Sequence, residues 1–229
     1  MTDPCVRGLT DRAAVADRLV ASGLGPEAAC SKAELFEKAA YVLIESGIAS
    51  ARRAHVFFVP GRIEVLGKHT DYGGGRSMVV AAERGICMIA TSREDSTVHV
   101  TDAVLDAKVE FVLDPDLVPN VSNWSNYPMV VARRVARNFP GLRRGADIVF
   151  ASDLHPAAGM SSSSALIVGT FLALAATNDL PRTRRNVLRL VVPCALAQGS
   201  VHNVITMAHQ RAGIYASQGL QRRTEGFHA

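Results

Sequence analysis

A chain of 229 residues with 48% hydrophobic and 20% charged residues is long enough to bury a sizeable core, and its composition is neither disordered nor fibrous. The formal charge of +4 is unevenly spread: residues 179–229 hold seven Arg, no Lys, one Asp and one Glu, a balance of +5, while the residues before them sum to −1. A nucleic-acid surface would want basic residues over a face with aromatics between them, and this tail has Tyr215 and Phe227 alone, so nucleic acid is not expected as a partner.

The N-terminus, Met1-Thr2-Asp3-Pro4, has neither a basic nor an apolar leader, and the longest apolar run, near Ala165 to Ala176, is too short to cross a bilayer. A cytoplasmic chain with no membrane partner is expected. Residues 11–48 read as helices, with Ala, Leu, Val and Phe at three- and four-residue intervals and stops at Gly23 and Gly47. The period then changes. "HVFFVP" reads as a short strand ended by Pro60, and "SMVVAAERGICMIATSRE" supplies apolar runs rich in Val and Ile. "STVHVTDAV" and "AKVEFVLD" alternate as neighbouring strands of a half-buried sheet. "NYPMVVARRVARNF" returns to helical spacing, "GADIVFASDL" is the next strand, and "HPAAGMSSSSALIVGTFLALAAT" is a small-residue loop followed by a long apolar helix. The alternation predicts an α/β or α+β body, without internal repeats.

Cys5, Cys30, Cys87 and Cys194 form no C-x-x-C pair, so they are expected to be reduced and mostly buried. The seven histidines show no H-E-x-x-H spacing, and no structural metal is expected.

Two stretches carry chemistry. In "VPGRIEVLGKHTDYGGGRS" the pair Gly67-Lys68 invites a phosphate-loop reading, but five residues instead of four separate Gly61 from Gly67, and His69 stands where a Ser or Thr should hold magnesium. In "HPAAGMSSSSALIVG", Gly159 permits a tight backbone, Ser161 to Ser164 follow, and a helix begins at once. Free amides and the positive end of the helix dipole there suit a phosphate. Ser161 or Ser162 acting as a simple helix cap is the other reading of the same residues.

Taken together, "PGRIEVLGKHTDYGGG" resembles the galactokinase signature P-G-R-V-N-L-I-G-E-H-T-D-Y-N-x-G, and "PAAGMSSSSA" resembles the P-x-x-x-G-L-S-S-S-A loop of the same group. Trp124-Ser125-Asn126-Tyr127 is similar to the W-x-N-Y found between those motifs. The chain is thereby identified as similar to the GHMP kinase superfamily, which covers galactokinase, homoserine, mevalonate and phosphomevalonate kinases.

The resemblance implies an α+β fold of the ribosomal protein S5 domain 2-like type. It implies three segments: N-terminal helices over residues 1–50, the ATP- and sugar-binding domain over 51–178, and a tail over 179–229 for which no fold is readable. It implies ATP and Mg2+ as cofactors, with Gly159, Met160, Ser161, Ser162 and Ser163 around the phosphates and Ser163 as a magnesium ligand. Arg62 would stabilise charge on the transferred phosphoryl group. His69 and Asp71 would hold sugar hydroxyls, with Lys68 beside them. Trp124 is assigned either to the adenine or to the core.

The chain departs from the family in three places. Lys68 replaces a Glu, exchanging an acceptor for a cation, so the sugar is left open between galactose, a uronic acid and other modified sugars; pairing with Glu64 or Asp71 is the structural alternative. Where the family has a catalytic Asp, this sequence reads "AGIYASQ" over 212–218. The family's C-terminal glycine-rich motif is not found, and residues from about 180 onward are expected either to be foreign to the fold or to be a divergent ending. The expected function is an ATP-dependent sugar kinase of the galactokinase type, with a sugar-sensing pseudokinase or an inactive fragment as the alternative. A small-molecule sugar is the expected partner.

Overall fold

The computed structural model describes residues 4–66, 78–120, 123–142, 144–155 and 159–180. After a short 3-10 turn at Val6–Leu9, two helices, α1 (Arg12–Ala21) and α2 (Pro26–Glu45), precede the first strands, β1 (His55–Leu66), β2 (Met78–Ser92), β3 (Thr97–Asp102) and β4 (Ala107–Val112). Helix α3 (Asn126–Asn138), strand β5 (Ala146–Ser152) and helix α4 (Ser162–Thr177) complete the described body. The mixed α/β architecture expected from the sequence is what the chain adopts.

Local chemistry explains the helices. Asp11 caps α1 by accepting from the Ala14 N–H at 3.1 Å. Pro26 opens α2, where a missing N–H costs nothing, and Ala29, Ala33, Phe36, Ala40 and Leu43 form its buried stripe. Both helices end just before the glycines expected to stop them, at Gly23 and Gly47.

The five strands form one sheet in the order β1-β2-β5-β3-β4, antiparallel except for the β3–β5 pair. Its central strands are buried on both faces. Phe57, Val59, Ile86, Met88, Ala90, Ile148 and Phe150 point to a core shared with α3 and α4. Their neighbours Phe58, Cys87, Ile89, Val149 and Ala151 point to a second core made with the N-terminal helices. This is why β2 and β5 read as apolar runs and not as alternations, whereas the edge strand β4 alternates.

Two expectations are corrected. Pro60 does not end the first strand: β1 runs on to Leu66, because β1 is an edge strand and a residue without an N–H is tolerated there. The register skips at this point, Pro60 facing Gly85 and Arg62 facing Ala81, so β2 bulges over residues 82–84. The cysteines are not mostly buried among the described residues: Cys87 is buried, Cys5 half-buried and Cys30 exposed, while Cys194 lies outside them.

Candidate functional site

The continuation of β1 past Pro60 carries Arg62 to the loop that leads into α4. The Arg62 backbone N–H donates to the Met160 carbonyl at 3.1 Å, and its Nε donates to Ser161 Oγ at 3.3 Å. Only a glycine allows this approach: a Cβ on Gly61 would lie 2.6 Å from Leu154 Cδ2 and 3.0 Å from the Met160 oxygen. The Arg62 side chain is 3% exposed and lies 3.5 Å from Glu64. A guanidinium so deep needs countercharge and acceptors, which Glu64 and the serine loop supply.

The serine loop has a backbone that a mere cap would not require. Gly159 has φ +72°, and Ser161, at the N-cap position of α4, has φ 60° and ψ 38°, a left-handed conformation that costs a residue with a Cβ roughly 1–2 kcal/mol. Ser161 makes no side-chain cap bond, its hydroxyl being turned to Arg62. The first-turn amides of a helix have no partners within the helix, so the α4 N-terminus keeps donors for an anion. Ser162 and Ser163 are half-buried in that first turn. Ser164 differs: it is fully buried, and its hydroxyl has no hydrogen-bond partner among the described residues. Three of the four hydroxyls therefore belong to the loop and one to the core.

Of the other residues picked from the sequence, Lys68, His69 and Asp71 lie outside the described residues, as do 156–158 of the loop and the segment 212–218. Trp124 is half-buried and meets Phe150 edge to face, with ring centroids 6.0 Å apart, near the end of β5 from which the serine loop departs. The structure thus brings Arg62 to Met160 and Ser161, and places Trp124 against Phe150.

Three features escaped the sequence reading. Asp153, just beyond β5, pairs with the buried Lys32 of α2 beside a cavity of about 800 Å3. The available signal was a lysine on the apolar stripe of α2. Glu64, considered only as a partner for Lys68, faces Arg62. At the other end of the sheet, Arg93 joins Asp147 at 2.9 Å and Asp95 at 2.7 Å, and His99 bonds Asp147 through Nδ1 at 2.8 Å. Hydrogen bonds from Arg93 hold the Asp95 carboxyl down at about 2. Burial pushes the Cys87 thiol well up, against the opposing charge of Lys32. Among the described residues no group of three His, Cys, Asp or Glu has metal-binding geometry, and no helix is long and apolar enough to cross a membrane.

Comparison with known proteins agrees with this geometry. Residues 48–92 match the galactokinase galactose-binding signature, and residues 126–210 match the GHMP kinases N terminal domain, a match that runs on past Asp179. The chain is 33% identical over 128 residues to a galactokinase of Actinobacillus pleuropneumoniae serotype 5b, which is 56% of this chain and 33% of that protein. With a galactokinase of Actinobacillus succinogenes it shares 38% identity over 127 residues, 54% of this chain and 32% of the other. The matched stretch is about a third of the length of these relatives. The fold is that of the Lactococcus lactis galactokinase complexed with galactose, at a TM-score of 0.61 and 24% identity over 70% of this chain and 41% of that one. It is also that of the Methanococcus jannaschii mevalonate kinase, at a TM-score of 0.60 and 15% identity over 68% of this chain and 51% of the other. A buried arginine stitched to a serine loop, two family signatures in the right order and the shared fold converge: the chain has the fold of GHMP kinase N-terminal domains and, over residues 48–92 and 126–210, is similar to galactokinases and their superfamily.

Proposed function

We propose that the chain serves an ATP-dependent sugar kinase of the galactokinase type, in which the γ-phosphoryl group of ATP passes to a sugar hydroxyl, the anomeric one. The observation that carries this is the bond pair from Arg62 to Met160 and Ser161, which joins two motifs about a hundred residues apart. Gly159 to Ser163 would receive the phosphates: no described residue comes within 4 Å of a Cβ placed on Gly159, and the α4 N-terminus is not closed by a serine cap. The donor set fits Mg2+-ATP, with Ser163 as metal ligand; the ion would neutralise charge on the β- and γ-phosphates. Trp124 is proposed to stand near the adenine.

In this reading the sugar hydroxyl oxygen bonds to the γ-phosphorus as the bond to the β–γ bridging oxygen breaks, and ADP leaves. Arg62 is fixed beside the loop by Ser161 and Glu64, so its charge is already oriented where negative charge builds up. Lys68, His69 and Asp71 are proposed to hold the sugar, and Lys68 favours a ligand carrying a carboxylate or a differently placed acceptor. A cytoplasmic location is part of the same proposal. The sequence "AGIYASQ" offers no carboxylate over 212–218, which favours a second reading: a sugar-sensing pseudokinase that binds both ligands without turnover. Without a positioned base the hydroxyl proton passes to solvent or to phosphate, at a cost of about 10²–10⁴-fold in rate.

The test is ADP release by the purified chain with MgATP and a panel of hexoses and uronic acids, run beside calorimetric binding. Sugar-dependent ADP release supports the kinase. Sugar-dependent ATP binding without release selects the sensor, and absence of both overturns the two readings together.

A further inference from the structure

Lys32 lies on the buried stripe of α2, 2% exposed, between turns that carry Ala29, Ala33 and Phe36. An ammonium in an apolar interface needs a countercharge close by. Asp153 provides it, accepting from Lys32 Nζ through Oδ2, while its Oδ1 accepts from the backbone N–H of Gly85 at 2.7 Å. One carboxylate therefore joins α2, the bulged part of β2 and the point where the chain leaves β5 for the serine loop. The next residue is held as well. Leu154 N–H donates to Ser152 Oγ at 3.1 Å, and the Leu154 side chain abuts Gly61. The far end of the loop is the one Arg62 holds at Met160 and Ser161.

We infer that Lys32 is a positioning residue for the serine loop: acting through Asp153, it sets where the chain departs from β5 and hence where the amides and hydroxyls of Gly159 to Ser163 stand. The pair is not there to fill space, since a methionine would occupy the same interface without a buried charge. Lys32 also lies outside both family matches, 48–92 and 126–210, so the link adds a contribution from the N-terminal helices. The consequence for nucleotide binding rests on the proposed ATP site, while the link from Lys32 to the loop does not. The cavity beside the pair leaves the Asp153 side chain 26% exposed, so in a Lys32→Met variant its carboxylate takes up water and the chain is expected to fold.

The experiment uses the full chain as wild type, Lys32→Met, Asp153→Asn and the double variant. Hydrogen exchange is read at the amides of Arg62 and Ala165, which donate to the loop carbonyls of Met160 and Ser161, and, as control, in β5 and α2, and MgATP and sugar affinities are read by calorimetry. Asp153→Asn keeps an acceptor for Gly85 but strands the Lys32 ammonium, so Lys32→Met is the better-tolerated single variant, and the double variant, which removes both charges, guards against a single variant that fails to fold. The expected result is exchange at the Arg62 and Ala165 amides about tenfold faster in each single variant, with β5 unchanged. The double variant is expected to be no worse than either single one, because both remove the same link. MgATP affinity should fall by about ten- to a hundredfold while sugar affinity holds. Unchanged loop exchange in both single variants, or fully additive effects in the double, overturns the inference. If the wild type binds no MgATP, the proposed nucleotide site fails, and exchange at the Arg62 and Ala165 amides still decides the role of Lys32.

Discussion

Four consecutive serines look alike as letters, yet the backbone gives them different work. Ser161 holds a left-handed conformation and turns its hydroxyl to Arg62, whereas Ser164 is buried in α4 with a hydroxyl unpartnered among the described residues, at the position where the family loop has Ala. Two substitutions separate these roles. Ser161→Gly removes a Cβ penalty of about 1–2 kcal/mol but also removes the acceptor of the buried Arg62 Nε at a comparable cost, so stability is expected to change little while MgATP binding weakens. Ser164→Ala removes an unsatisfied buried hydroxyl and is expected to raise stability by about 1 kcal/mol with nucleotide binding unchanged. Urea midpoints and calorimetry on the two variants check the pair; weaker binding in Ser164→Ala would show that its hydroxyl serves the site after all. The family resemblance put Gly159 to Ser163 around the phosphates, but only helical phase distinguishes the fourth serine from the other three.

At the scale of elements, the decisive feature is that β1 does not stop at Pro60. An edge strand has one row of amides without partners, so proline interrupts nothing, and the continuation brings Arg62 to the serine loop. The contact depends on Gly61, where any side chain would run into Leu154 and the Met160 carbonyl. Gly61→Ala is therefore expected to destabilise the chain by about 1–3 kcal/mol, by forcing β1 and the loop apart. Thermal unfolding reads the loss, and hydrogen exchange should place it at the Arg62 and Ala165 amides in preference to β5. Uniform loss across the sheet would mean that the close approach is ordinary packing. The sequence reading ended this strand early because proline is a strong local signal, and edge position is not a local property.

The whole molecule has a sheet with a core on each face. Phe36, Leu43 and the other buried residues of α1 and α2 cover Phe58, Cys87, Ile89 and Val149. Whether residues 1–50 form a separable segment, as proposed from the sequence, can be measured directly. A chain starting at residue 51 would expose that entire apolar face, so it is expected to aggregate or to lose its cooperative transition. A truncated chain that unfolds cooperatively at the midpoint of the full one would make the helices an appendage. That outcome would also weaken the case for Lys32, whose link to Asp153 runs through this interface.

The sequence by itself determined the mixed α/β composition, the helix ends at Gly23 and Gly47, the two motifs and the family they resemble, because glycine placement, apolar period and motif spacing are local quantities. The tertiary structure alone decided that central strands would be buried on both faces, that Arg62 would meet Ser161, that Glu64 would face Arg62, and that Lys32 would find Asp153 across 121 positions of sequence. Pairings of that kind follow from which elements stack and in what register, and a buried charge draws its partner from whatever the packing brings within reach.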